Sequence, residues 1–115
     1  MTIKEFYSKS NDDYAEVLGA FGKEERVLKY LRKFPENELN KKIREALDAK
    51  DYETAFREAH NLKGMCMNLA LSRFSKLSSD LTESLRNGPT GDVEAFFVLV
   101  DEEYNRVSEL VKQIN

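Results

Sequence analysis

Residues 51–69 read DYETAFREAHNLKGMCMNL. Within this stretch Tyr52, Ala55, Phe56, Ala59, Leu62, Cys66 and Leu69 recur at the three- and four-residue spacing of one helix face, an apolar stripe about 28 Å long at 1.5 Å per residue. Asp51 is placed to accept from the free N–H groups of the first turn. In a folded protein such a helix owes most of its stability to packing its apolar face against other elements. The fold therefore turns on which neighbouring segments carry a matching stripe.

The flanking segments do. Leu39, Ile43, Ala46 and Leu47 mark a helix over 36–49, just beyond Pro35. Phe74, Leu77, Leu81 and Leu85 stripe residues 72–87, which stop at Asn87-Gly88-Pro89, a candidate left-handed C-cap with a proline behind it. Asp92 can cap a last helix striped by Val93, Phe96, Phe97, Val100, Tyr104, Val107, Val111 and Ile114. Four helices of about 14 to 24 residues joined by short turns lie antiparallel to their neighbours, so the chain reads as all-α, an up-down-up-down four-helix bundle over 36–114. Ahead of it, residues 1–34 carry three shorter helical runs, near 2–8, 12–21 and 24–34, that would cover one end or side. The first opens on Thr2-Ile3-Lys4-Glu5, a capping-box pattern. No internal repeat or low-complexity linker divides the 115 residues, which are read as one domain.

Composition removes several classes of function. One histidine, His60, and one cysteine, Cys66, leave no ligand set for a Cys/His zinc site and no intrachain disulfide. Cys66 falls deep in the apolar stripe and reads as a small core residue. The 18 Lys and Arg are interspersed among 21 Asp and Glu, for a net charge of −3, without the basic stripe that nucleic-acid binding requires. No run approaches ~18 apolar residues and the N-terminus lacks the apolar core of a signal peptide, which points away from membranes and toward the cytoplasm. The five glycines form no phosphate-binding loop, so no ATP site is expected.

His60 lies just outside the stripe, at about +100° on a wheel centred on Ala59, and Lys63 and Gly64 share its patch at i+3 and i+4. Glycine inside a helix costs about 1 kcal/mol relative to alanine. Two readings of Gly64 are open. It marks close helix packing, or it keeps the imidazole accessible to a partner, since helical side chains lean over the preceding turn. Likewise, a lone histidine at the edge of an apolar face is either a boundary residue or a nucleophile, with Lys63 placing an ammonium beside any anion on the ring.

The run Ala59-His60-Asn61-Leu62-Lys63-Gly64 resembles the central motif of histidine-containing phosphotransfer (HPt) domains, alanine-histidine-x-leucine-lysine-glycine. Phe34-Pro35, Leu39, Ile43, Ala46-Leu47, Asp51 and Ala55 upstream, with Leu69, Leu77, Leu81 and Arg86-Asn87-Gly88 downstream, extend the resemblance over roughly residues 28–88. Met65-Cys66-Met67 and Ala70 depart from it, since small residues commonly follow the glycine and another glycine stands near the helix end. The resemblance implies a phosphorelay intermediate of two-component signalling, without an ATP site or cofactor of its own. His60 would accept a phosphoryl group from a receiver-domain aspartate and pass it to another receiver, Lys63 would stabilise the phosphoryl group, and Gly64 would admit the receiver. The Mg2+ ion would belong to the receiver. Implied partners are response-regulator receivers and a hybrid histidine kinase, met by a monomer, with Met65 and Met67 as docking candidates or ordinary packing residues. The alternative is a helical protein-binding module that keeps the fold without phosphotransfer.

Overall fold

The apolar periodicities resolve into seven α-helices and one 3-10 turn in a computed structural model that describes residues 1–10 and 12–115. In chain order they are α1 (Ile3–Lys9), α2 (Tyr14–Phe21), α3 (Glu24–Lys33), the 3-10 turn Phe34–Glu36, α4 (Leu39–Asp48), α5 (Tyr52–Asn68), α6 (Ser72–Leu85) and α7 (Val93–Lys112). No strand occurs among the described residues. Helices α4 to α7 form the bundle, with α5 packed extensively against both α4 and α6, and α6 against α7. Two cross-links fix the α4–α7 direction. Asn40 donates to Asp101, and Arg44, one turn further along α4, meets Glu94 two turns back along α7, at 2.7 and 2.8 Å. Positions that rise on α4 and fall on α7 make the pair antiparallel, as the short turns demand.

The stripe of α5 supplies the centre. Ala55, Ala59, Leu62 and Cys66 are fully buried and join Ile43, Phe74, Leu81, Val100 and Val107 in one apolar core. Each fully buried large side chain contributes about 1.5–3 kcal/mol. Burial also pushes the Cys66 thiol up to about 12, so it stays protonated and inert, as a core residue should.

Helix ends follow local chemistry more closely than stripes do. Thr2 and Glu5 complete the capping box, and Asp13, Asp51 and Asp92 each accept from the backbone three residues on. Helix α4 starts at Leu39, three residues later than the stripe predicts. Pro35 sits in the 3-10 turn, Asn37 is extended, and its side chain accepts from Leu39 N at 3.0 Å, so these residues form a capped turn instead of a first helical turn. Helix α6 ends at Leu85, two residues short of Asn87. Arg86 is extended, Asn87 and Gly88 adopt positive φ, and Thr90 donates twice to the Ser84 carbonyl, which completes the C-terminus from outside the helix. The four bundle helices accordingly run from 10 to 20 residues.

The short helices cover the bundle end formed by the α5–α6 turn. Buried Tyr7 donates to the Leu69 carbonyl at 2.8 Å, and Asp12 accepts from Ser72 N at 2.7 Å, supplying the N-cap that Leu71 cannot. Phe34 inserts edge-on against Phe74 and beside Tyr104, whose hydroxyl donates to the Pro35 carbonyl. Between Leu69 and Leu71, Ala70 is held at φ +54°, a left-handed conformation that costs a side-chain-bearing residue roughly 1–2 kcal/mol. Ala70→Gly relieves that cost against a smaller loss of chain entropy. It should stabilise the fold by about 0.5–1 kcal/mol, read as a higher urea midpoint at unchanged m; a lower midpoint would show the turn to be unstrained.

Candidate functional site

Because Ala59 and Leu62 are fixed in the core, the next face of α5 must turn outward, and His60 lies on it, midway along the helix. The ring is exposed and forms no hydrogen bond with any described residue. Its orientation is set by stacking. Phe56, one turn earlier, lies nearly parallel to it at 16°, with centroids 6.2 Å apart. Phe56 also packs against the core and meets Arg86, whose guanidinium carbon sits 5.1 Å from the ring centroid, a cation–π distance. Extended backbone at Arg86, where α6 has stopped, lets this side chain double back over α5.

Charge around the imidazole is mixed. Lys63 is part-exposed one turn along the helix. Glu83 on α6 binds Arg86 with both carboxylate oxygens, at 2.8 and 3.0 Å. These hydrogen bonds hold the Glu83 carboxyl below the usual carboxylate range, and the charges of Arg86, Lys63 and His60 act in the same direction. The face therefore offers two cations, Lys63 and Arg86, and one carboxylate, Glu83, paired to Arg86.

Gly64 is exposed, and a Cβ built there meets nothing within 4 Å. Close helix packing, one of the two readings of this glycine, is thus absent. The access reading changes in detail, because a methyl group at 64 would not reach the imidazole either; only a longer side chain would cover it. Beyond Gly64 a groove of about 1000 Å³ opens between α5 and the α2–α3 pair. His60, Gly64, Met65 and Met67 form one wall, and Phe21 and Tyr30, with rings 5.2 Å apart, stand on the other. Met67 is 57% exposed, whereas Met65 is half-buried against the core, so the two methionines divide between surface and packing.

The structure lines one groove with His60, Gly64, Met65 and Met67 and places Lys63 one turn along α5 from His60; spacing on the helix accounts for Lys63, Gly64 and Met67, whereas Met65 lies about 140° round the helix from His60. It adds Phe56, Glu83, Arg86, Phe21 and Tyr30. Phe56 was assigned to the apolar stripe, yet its i, i+4 relation to His60 already carried the stacking. Arg86, Glu83, Phe21 and Tyr30 arrive from other helices and have no such signal.

Among the described residues no group of three or more His, Cys, Asp or Glu side chains is placed to hold a metal ion, and no helix is long and apolar enough to cross a membrane. No curated protein and no solved structure significantly matches the chain. Residues 37–110, from the turn before α4 to near the end of α7, match the family model of the Hpt domain. That match covers most of the sequence and includes His60, Lys63, Gly64, Glu83 and Arg86, whereas Phe21 and Tyr30 of the groove lie outside it. The chain therefore belongs to the Hpt domain family, the carriers of histidine-based phosphorelay in two-component systems, which pass phosphoryl groups on and are not independent catalysts.

Proposed function

We propose that His60 is the phosphoacceptor, taking a phosphoryl group from the aspartate of one receiver domain and delivering it to another. The observation that carries this reading is an exposed imidazole, free of hydrogen bonds to described residues, on a rigid helix beside Lys63 and the open surface at Gly64. The ring nitrogen without a proton attacks phosphorus. The nitrogen–phosphorus bond forms as the bond to the carboxylate oxygen breaks, the electron pair leaves with the aspartate, and the other ring nitrogen keeps its proton. The phosphoryl group on the ring carries up to two negative charges beside the Lys63 ammonium, which stabilises it. Mg2+ would be the receiver's contribution, and this chain's part is presentation: Phe56 limits rotation of the ring, and the helix sets its height.

The receiver is proposed to seat on the groove between α5 and the α2–α3 pair. Exposed Met67 and Tyr30 give it an adaptable apolar surface at the edge of the imidazole. On this reading residues 1–34 belong to the same domain as the bundle, an arrangement supported by the Tyr7–Leu69 and Asp12–Ser72 hydrogen bonds. A monomer in the cytoplasm, facing response-regulator receivers and a hybrid histidine kinase, is the setting this function requires.

Mixing the protein with a phosphorylated receiver should yield label that is acid-labile and base-stable, and His60→Gln should abolish it. Label retained in that variant would remove His60 from the role, and no transfer from any receiver of the cell would favour the binding module without phosphotransfer. Gly64 separates packing from access. Gly64→Ala should stabilise the helix by roughly 0.5–1 kcal/mol with transfer preserved, whereas Gly64→Leu should slow transfer about tenfold or more while the fold is retained. Equal transfer rates in the two variants would sink the access argument.

A further inference from the structure

Two charged residues of this face, Glu83 and Arg86, have no part in the phosphoryl transfer described above. We propose that Glu83 is a positioning residue that holds the Arg86 guanidinium back from the phosphorylated ring, so that phosphohistidine at 60 stays labile enough to be passed on. The inference rests on His60 being the phosphoacceptor.

The geometry has three parts. Arg86 is held by two parallel hydrogen bonds to Glu83, at 2.8 and 3.0 Å. Its guanidinium carbon lies 5.1 Å from the Phe56 centroid, and Phe56 is stacked on His60. Both members of the ion pair remain about half exposed, at 47% and 53%, so neither is locked by packing and the guanidinium is free to exchange partners. A planar guanidinium binds a phosphoryl group by the same two-point geometry that it uses for a carboxylate. A phosphoryl group on His60 would therefore compete with Glu83 for Arg86, one aromatic ring away. Glu83 opposes that exchange twice, by occupying the donors and by repelling the incoming charge. The Coulombic influence of Lys63 and His60 on the Glu83 carboxyl places its charge within range of the site. In a relay this balance has a purpose. A phosphohistidine clamped by both Lys63 and Arg86 would be a sink, whereas one stabilised by Lys63 alone can be handed to the next aspartate.

The test charges the full chain with phosphoramidate, a small donor whose own nitrogen–phosphorus bond breaks with loss of ammonia as the bond to His60 forms. Once the donor is removed, the half-life of phosphohistidine and its equilibrium partition with a receiver are measured. Glu83→Gln, an exposed change that keeps side-chain size, should lengthen the half-life and shift the partition toward His60 by roughly three- to tenfold. The shift should shrink with added salt. In Glu83→Gln combined with Arg86→Ala it should vanish, which a purely structural role for Glu83 does not predict. Normal labelling with an unchanged or reversed partition in Glu83→Gln would overturn the inference while leaving His60 as phosphoacceptor. Absence of label in the wild type as well as the variants would overturn both.

Discussion

The register of α5 is the constraint on which the rest depends. This helix packs against α4 on one side and α6 on the other, and its inward residues Ala55, Ala59, Leu62 and Cys66 have no exposed surface at all. Three of the four are small, so the neighbouring helices come close and their packing leaves little freedom to rotate α5. A turn of 100° separates consecutive residues. With Ala59 fixed inward, His60 is held on the rim of the buried face, where its ring stacks on Phe56 and still meets solvent. Slipping the helix by one residue would bury the imidazole and expose a core position. The same contacts thus provide stability and, on the reading proposed for His60, present the nucleophile.

Polar groups in the core bear a cost that the closed bundle must offset. Glu103 on α7 is 4% exposed and is bound at both oxygens by Arg106, with Arg73 of α6 at 3.7 Å. Burying a carboxylate is expensive unless it is paired and hydrogen-bonded, and here the pairing is two-point. The hydroxyls of Ser78 and Ser108 lie buried without a partner among the described residues. These groups add little net stability: the Glu103–Arg106 pair closes within α7, and the α6–α7 alignment enters only through exposed Arg73 at 3.7 Å and the apolar packing between the two helices. Because α6 carries Glu83 and leads into Arg86, that alignment also determines where the ion pair sits relative to α5.

Stripes, caps and the histidine patch were legible in the sequence because each is a local pattern. The stripe of 51–69 gave α5 to within a residue at either end, and Asp51, Asp92 and the Thr2–Glu5 box cap the helices they were expected to cap. The errors lie where the chain leaves a period. At Asn37 a side chain competes with the first turn of α4, and at Arg86 the backbone extends although hydrophobic spacing gives no reason to stop. The sequence also placed Lys63 and Gly64 beside His60, since residues three and four apart on a helix are neighbours. It gave no sign that Arg86, 26 positions downstream of His60, or Tyr30, 30 positions upstream, stands at this face. Contacts of that range are made by tertiary packing and leave no trace in spacing.

That division has a physical reason in a relay. The chemistry needs a nucleophile at fixed height with a cation beside it, and one helix can encode both within two turns. Tuning of the phosphoryl group's free energy, and recognition of the protein that carries it, need charge and surface brought from elsewhere. In the roles proposed above they come from the end of α6 and from the α2–α3 pair, the latter outside the span shared with the family model. Change in Phe21 or Tyr30 can therefore remodel the groove without moving the α5 stripe that fixes His60, because neither residue belongs to the fully buried core. On the proposed reading, an arrangement of this kind would let partner choice vary while the His60 ring stays where the bundle puts it.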